Sequence, residues 1–235
     1  MRLRSQGKTK DLSALDVDAV LCISVRERED RRALLDKEFA GSGLHIEYVL
    51  VTRDNENPER GCYNSHLRCA ELALQRGCRR VLILEDDATL EFFAPRTVSR
   101  INRFLTKRNP DIFYLGVNLG RLWLTWTPGI ARVRAQGGHA YILSTEACRK
   151  VIALGDYSGR GIDNYYSKMF AGFCCFPMIS QQQPEGACAS DLRQFRGGGK
   201  GCDEAFWEAF WEANWRRQYQ EALRGLPKTL LRRGF

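Results

Sequence analysis

The 235-residue sequence predicts an α/β fold: a mixed, mostly parallel sheet flanked by helices, followed by a C-terminal amphipathic helix. Three observations predict it. The short unbroken apolar run Val81 to Leu84, and the mostly apolar stretches 19–25 and 110–117, suit strands buried on both faces. Stretches with helical spacing separate them, beginning with a strand–helix–strand unit between residues 19 and 51. The run Val81 to Leu84 ends in three acids, Glu85, Asp86 and Asp87, and ligands of open α/β sheets bind beyond the carboxyl ends of strands.

The first strand is Ala19 to Val25. Ala33, Leu34, Leu35 and Phe39 then recur at helical spacing, and Gly41 and Gly43 can end that helix. A second strand covers His45 to Val51, and Thr52 to Arg60 reads as a polar loop. Gly61 to Arg76 reads as a helix with Cys62, Cys69, Ala70 and Ala73 on one side and Gly77 as its cap. After the acidic strand, Pro95 opens a helix to about Lys107, and Pro110 to Val117 is a further strand. Residues 118–130 read as an irregular loop; its Trp123 and Trp126 suit either a sugar platform or a core edge. Ala131 to Arg134 alternates like an edge strand, and Gly137 to Ser144 is a glycine turn entering a strand. Ser144 caps a helix over 145–154, and a second, aromatic-rich helix begins near Asp163. Phe173 to Met178 is a short strand, and Ile179 to Gly186 is polar and loop-like.

A glycine-rich linker at 196–201 divides the chain into a main domain, 1–195, and a tail, 196–235. The tail carries a helix from Asp203 to about Arg224, with Phe206, Trp207, Phe210, Trp211 and Trp215 in a wide stripe. That stripe suits docking on the same domain or a peripheral membrane or partner contact. The formal charge of +8 favours anionic partners, but acids interleave with the basic residues and no nucleic-acid module signature is present. Nucleic acid is therefore not an expected partner. The apolar runs are too short to span a bilayer, and the first ten residues lack the apolar segment of a secretory leader. Nine dispersed cysteines without paired zinc spacing read as buried thiols in a reducing compartment, which places the protein in the cytoplasm.

Three adjacent carboxylates at the end of a buried strand repel one another and resist desolvation, so a positive partner is expected. Hard oxygen ligands suit Mn²⁺ or Mg²⁺, shared with a diphosphate. The plain alternative is a solvated acidic turn. Arginines 26–32, just past the first strand, suit a diphosphate or a solvated helix start. Ser65 and His66 in the first helical turn suit an anion, or His66 is a packed core histidine. Asp163 is a helix cap or a general base.

Four stretches in order resemble glycosyltransferase family 25: Val20 to Arg32, Gly61-Cys-Tyr-Asn-Ser-His66, Leu82-Ile-Leu-Glu-Asp-Asp87 and Gly138-His-Ala-Tyr-Ile-Leu-Ser144. The resemblance covers roughly residues 19–185 and includes lipopolysaccharide-type and procollagen galactosyltransferase-like enzymes. It implies a GT-A-like, Rossmann-like fold, a UDP-sugar donor, Mn²⁺ and inversion at the anomeric carbon. It implies transfer of a hexose to a glycan, glycolipid or glycoprotein acceptor. The metal motif falls on Glu85, Asp86 and Asp87, and the nucleotide-side motifs on Ser24, Arg26, Arg31, Ser65 and His66. Asp163 is the expected base, and a third metal ligand is expected at His139 or near Gln181 to Gln183. The loop before Gly61 is shorter than the family's, and the acid that precedes its cysteine is missing. This leaves a rival: a nucleotide-sugar or glycan-binding protein of the same fold without turnover.

Overall fold

The computed structural model describes residues 7–183 and 204–231. The strands of the principal sheet are β1 (Ala19–Val25), β2 (Ile46–Val51), β3 (Arg80–Glu85), β5 (Ile112–Leu124), β6 (Ile130–Ser144) and β7 (Phe173–Cys175). Two short strands, β4 (Ala88–Leu90) and β8 (Ser180–Gln182), pair with each other beside it. The principal sheet has the order β2-β1-β3-β6-β5-β7, in which five strands run one way and one opposes them. β1 pairs in parallel with both β2 and β3, and β5 with β7; β6 is the reversed strand, antiparallel to β3 and β5. The expected mixed, largely parallel sheet is therefore present.

The period-2 alternation of the strands sorts their side chains onto two faces. Leu21, Val81, Ile83, Tyr141 and Leu143 point to one core, and Val20, Cys22, Leu82, Leu84 and Ile142 to the other. Helices α2 (Pro58–Gln75), α4 (Thr145–Ile152) and α5 (Ile162–Met169) cover the first core with Tyr63, Ala70, Val151 and Tyr166. Helices α1 (Glu29–Phe39) and α3 (Arg96–Arg108) cover the second with Leu35, Phe39, Ile101 and Phe104. β1 sends its connection out to β2, and α2 returns the chain to β3 on the other side of β1. Such a reversal opens a crevice at the carboxyl ends of the strands.

The structure corrects four expectations. α2 starts at Pro58, within the predicted loop, because the Asn57 side chain caps the Arg60 amide at 3.0 Å and proline suits a first helical position. The loop expected at 118–130 shrinks to 125–129: β5 runs on to Leu124, and β6 takes the two predicted pieces in one strand. Register shifts between Tyr114 and Arg121 let the long hairpin bend, and they blurred its alternation in the sequence. The acidic turn leads into β4, which pairs antiparallel with β8, in the stretch read as a loop. Neither is apolar throughout, so neither carried a strand signal.

The tryptophans meet the tail. Trp123 is buried under Lys228, whose Nζ lies 4.6 Å from the ring centroid, and Trp126 donates from Nε1 to the Thr229 carbonyl at 2.9 Å. The helix Glu204–Arg224 follows the predicted span, and its second half packs on the same domain. Gln218 is buried and accepts from the Met178 amide at 3.0 Å, and Tyr219 meets Phe176 edge-on at 5.2 Å. The side chains of Phe206, Trp207, Phe210 and Trp211, and the linker at 196–201, lie outside the described residues. Among the described residues, no helix is long and apolar enough to cross a membrane.

Gly116 in β5 is the tightest point of this packing. A Cβ there would strike the Ser180 carbonyl and the His139 ring. Gly116→Ala should therefore cost about 1–3 kcal/mol, as overpacking does, read as a lowered urea midpoint with unchanged slope. An unchanged midpoint would show that β5 and β8 do not pack this closely.

Candidate active site

The acidic turn lies where β3 leaves the sheet, beside the carboxyl end of β1, with Ile23 in register with Glu85. It opens into a cleft. Ile23 and Val25 supply part of the floor, and Val51 to Asp54 form one edge. Pro58, Gly61, Cys62, Ser65 and His66 of α2 form the opposite wall, and Arg28, Arg31, Glu85, Asp86, Asp87 and Gln182 complete it. Two elements hold the acids in place. The β4–β8 ladder clamps the turn, with the Gln183 amide donating to the Asp87 carbonyl at 2.5 Å and Gln182 Nε2 to Glu85 at 3.3 Å. α1 brings Arg31 across, where Nη1 donates to Asp86 Oδ1 at 2.9 Å and lies 3.5 Å from Asp87 Oδ2.

One arginine does not balance three acids. Burial pushes the Glu85 carboxyl well above its ordinary value, and Asp87 and Asp86 push it further. Burial likewise raises Asp86 and Asp87, against the pull of Arg31. Ionised, the turn and its bonded Arg31 sum to a formal charge of −2, which Arg28, whose charge also lowers Asp87, reduces without cancelling. Asp87 Oδ1 is buried and has no hydrogen-bond partner. A buried lone acceptor with excess negative charge fits a bound cation. The three carboxylates do not, however, converge as one ligand group. Among the described residues, the possible ligand atoms lying within 4.8 Å of one another belong to Cys62, His66 and Glu85.

His66 is buried in α2. Its Nδ1 meets the Tyr141 hydroxyl at 2.5 Å, and its Nε2 lies 3.6 Å from Glu85 Oε1. Burial depresses its pKa to about 4, so the ring is neutral at pH 7. Ser65 also lines the cleft, with its hydroxyl donating to the Gly61 carbonyl one turn back at 2.7 Å. Ser24 is fully buried beneath the turn and accepts from Arg32 Nη1 at 3.1 Å, so it supports the arginine layer without lining the cleft. Arg26 is exposed and holds β2 through its amide, which donates to the Val51 carbonyl at 2.9 Å; it does not line the cleft. Asp163 does not line it either: its Oδ1 accepts the Gly138 amide at 3.0 Å, and its charge favours the charged form of His66. His139 is buried against Gly116 and Ser180, away from the cleft lining.

The sequence reading reached Arg28 only as part of the run 26–32, and it missed Arg53 and the pairing of Cys62 with His66. The last carried a signal: residues four apart share a helix face. Cys62 is only half-buried, unlike the other described cysteines, so it departs from the expectation of buried thiols throughout.

No protein-family model and no curated protein matches the chain. Among solved structures, it is similar to A197 from STIV, with 14% identity and a TM-score of 0.44, over 66% of this chain and 80% of that one. It is also similar to a glycosyltransferase involved in glycosylation of the major capsid of PBCV-1, with 9% identity, a TM-score of 0.34, and 58% and 64% coverage. A third is a mannose-1-phosphate geranyltransferase from Thermus thermophilus, with 12% identity, a TM-score of 0.35, and 67% and 72% coverage. Likenesses this distant assign no activity. The family 25 resemblance stays one of four motifs.

The raised Glu85 carboxyl has a pH signature. A carboxyl raised in the folded state holds its proton above the unfolded value of about 4.3, so its contribution to stability falls as pH rises through that window. Buried histidines with depressed pKa oppose this in the wild type. Their effect cancels in a comparison with Glu85→Gln. With metal chelated, Glu85→Gln should gain stability relative to wild type as pH rises above the unfolded value of about 4.3, read as a melting-temperature difference that widens with pH. A pH-independent difference in melting would mean that Glu85 titrates as an ordinary surface acid.

Proposed function

We propose that the chain is a metal-dependent inverting glycosyltransferase that moves a hexose, galactose or glucose, from a UDP-sugar to a hydroxyl of a glycan, glycolipid or glycoprotein. The observation that carries this reading is the acidic turn opening into a cleft also lined by Arg28, Arg31 and Arg53. Cation and arginines in one cleft are what a nucleoside diphosphate requires. The four family-25-like motifs add to it, because three of them, around Arg31, His66 and Asp87, meet at this cleft.

The reaction develops positive character on the sugar ring and negative charge on the departing diphosphate. A bound Mn²⁺ or Mg²⁺ supplies Lewis-acid stabilisation of that leaving group. Glu85 and Asp87 are the residues to hold it, with Asp86 fixed by its bond to Arg31. Arg31 and its neighbours Arg28 and Arg53 orient the phosphates. Ser65 and the apolar floor of Ile23, Val25 and Val51 suit the nucleoside. Direct displacement inverts the anomeric carbon and needs a base on the acceptor side to take the hydroxyl proton. Asp163 is assigned that role.

One observation favours the rival reading, a nucleotide-sugar or glycan-binding protein without turnover: Asp163 lies outside the cleft lining. The two separate cleanly. UDP release from UDP-galactose or UDP-glucose in Mn²⁺, with and without acceptor sugars, should proceed in the wild type. Asp87→Ala should lose Mn²⁺-dependent donor binding. Asp163→Asn should keep that binding and lose transfer by about 10²-fold or more. Donor binding without UDP release in the wild type would establish the rival, and full turnover in Asp163→Asn would move the base elsewhere.

A further inference from the structure

Cys62 and His66 stand four residues apart on α2 and so share one face of the helix. That face looks across the cleft at Glu85, and the three side chains offer sulfur, nitrogen and oxygen atoms within 4.8 Å of one another. We propose that Cys62, His66 and Glu85 form a binding site for a borderline-soft transition ion such as Zn²⁺, distinct in ligand chemistry from the all-oxygen acidic turn.

The geometry is close to what such an ion needs. Tetrahedral zinc with bonds of roughly 2.0–2.3 Å spaces its ligand atoms about 3.3–3.8 Å apart. His66 Nε2 and Glu85 Oε1 already lie 3.6 Å apart. The second ring nitrogen is engaged as metal-bound histidines require: Nδ1 meets the Tyr141 hydroxyl at 2.5 Å, which in turn meets Tyr166 at 3.3 Å. With the ion on Nε2, Nδ1–H donates to Tyr141 and Tyr141 donates to Tyr166, which fixes tautomer and ring orientation. The ring stacks on Tyr141, with centroids 5.9 Å apart, and meets Tyr166 edge-on.

Binding deprotonates the Cys62 thiol, and its proton goes to solvent. Three protein ligands leave the fourth position facing the cleft, the pattern of an open site. Glu85 belongs to both donor sets, so an ion here draws it from the acidic turn. The binding claim stands without the sugar-transfer reading; only that competition rests on it.

Cobalt(II) is the probe, because a thiolate ligand gives it an intense near-ultraviolet charge-transfer band. The reduced full-length protein titrated with CoCl₂ should show that band, together with tetrahedral visible bands, saturating at about one equivalent. One equivalent of Zn²⁺ should bleach both, since zinc outranks cobalt at such a site. Cys62→Ser should lose the charge-transfer band, and Glu85→Gln should weaken cobalt binding about tenfold or more while keeping it. Melting curves should show that both variants fold; Cys62 is half-buried, so the serine exchange is mild. Absence of the band in the wild type, or its survival in Cys62→Ser, would overturn the site. A cobalt band in protein that binds no nucleotide sugar would leave the site standing and remove the donor reading.

Discussion

The architecture depends on one electrostatic constraint: three carboxylates closing a buried strand, bonded by Arg31 with the charge of Arg28 nearby. Arg31 bonds Asp86 and approaches Asp87, yet burial still raises all three acids above their ordinary values. Uncompensated charge of this kind costs several kcal/mol, so a fold that serves stability alone would dilute it with apolar or neutral side chains. Here the surroundings concentrate it. The β4–β8 ladder fixes the turn from one side and α1 from the other, and both leave it facing the cleft.

The same constraint explains why functional side chains come from so many elements. The reversal of strand order around β1 brings the start of α1, the start of α2 and the end of β3 to one place. Each contributes a different chemistry: guanidinium, thiol with imidazole and hydroxyl, and carboxylate. The tyrosines of β6 and α5 stand behind His66 and hold its ring. The cleft is therefore layered, with oxygen ligands at the strand end and softer ligands on the helix wall.

Much of this was legible in the sequence. The strands β1 and β3 were readable because both faces are largely buried, so their apolar runs are nearly continuous; β2, an edge strand buried only at Val49, was readable from its branched and aromatic residues. The acidic turn was readable because three charges after such a run have no role in a core. The rest was hidden for identifiable reasons. β4 and β8 are three-residue strands whose pairing joins positions some ninety residues apart, and neither has a local pattern. The bent β5–β6 hairpin loses its alternation at its register shifts. Ser24 and Arg26 follow the motif but not the cleft: Ser24 is buried within β1 beneath the turn, and Arg26 lies past the end of β1, exposed in the turn before α1. Cys62 looked like another thiol because its partner Glu85 is distant in the chain.

The most direct measurement of the central claim is the linkage between cation and nucleotide. If the acidic turn grips an ion that in turn grips a diphosphate, each must tighten the other by the same factor. Mn²⁺ binding followed by electron paramagnetic resonance, with and without saturating UDP, tests this directly. The account predicts Mn²⁺ bound at least about tenfold more tightly with UDP present, a coupling of about 1.4 kcal/mol, and the same tightening of UDP by Mn²⁺. Mn²⁺ affinity that is indifferent to UDP would contradict it.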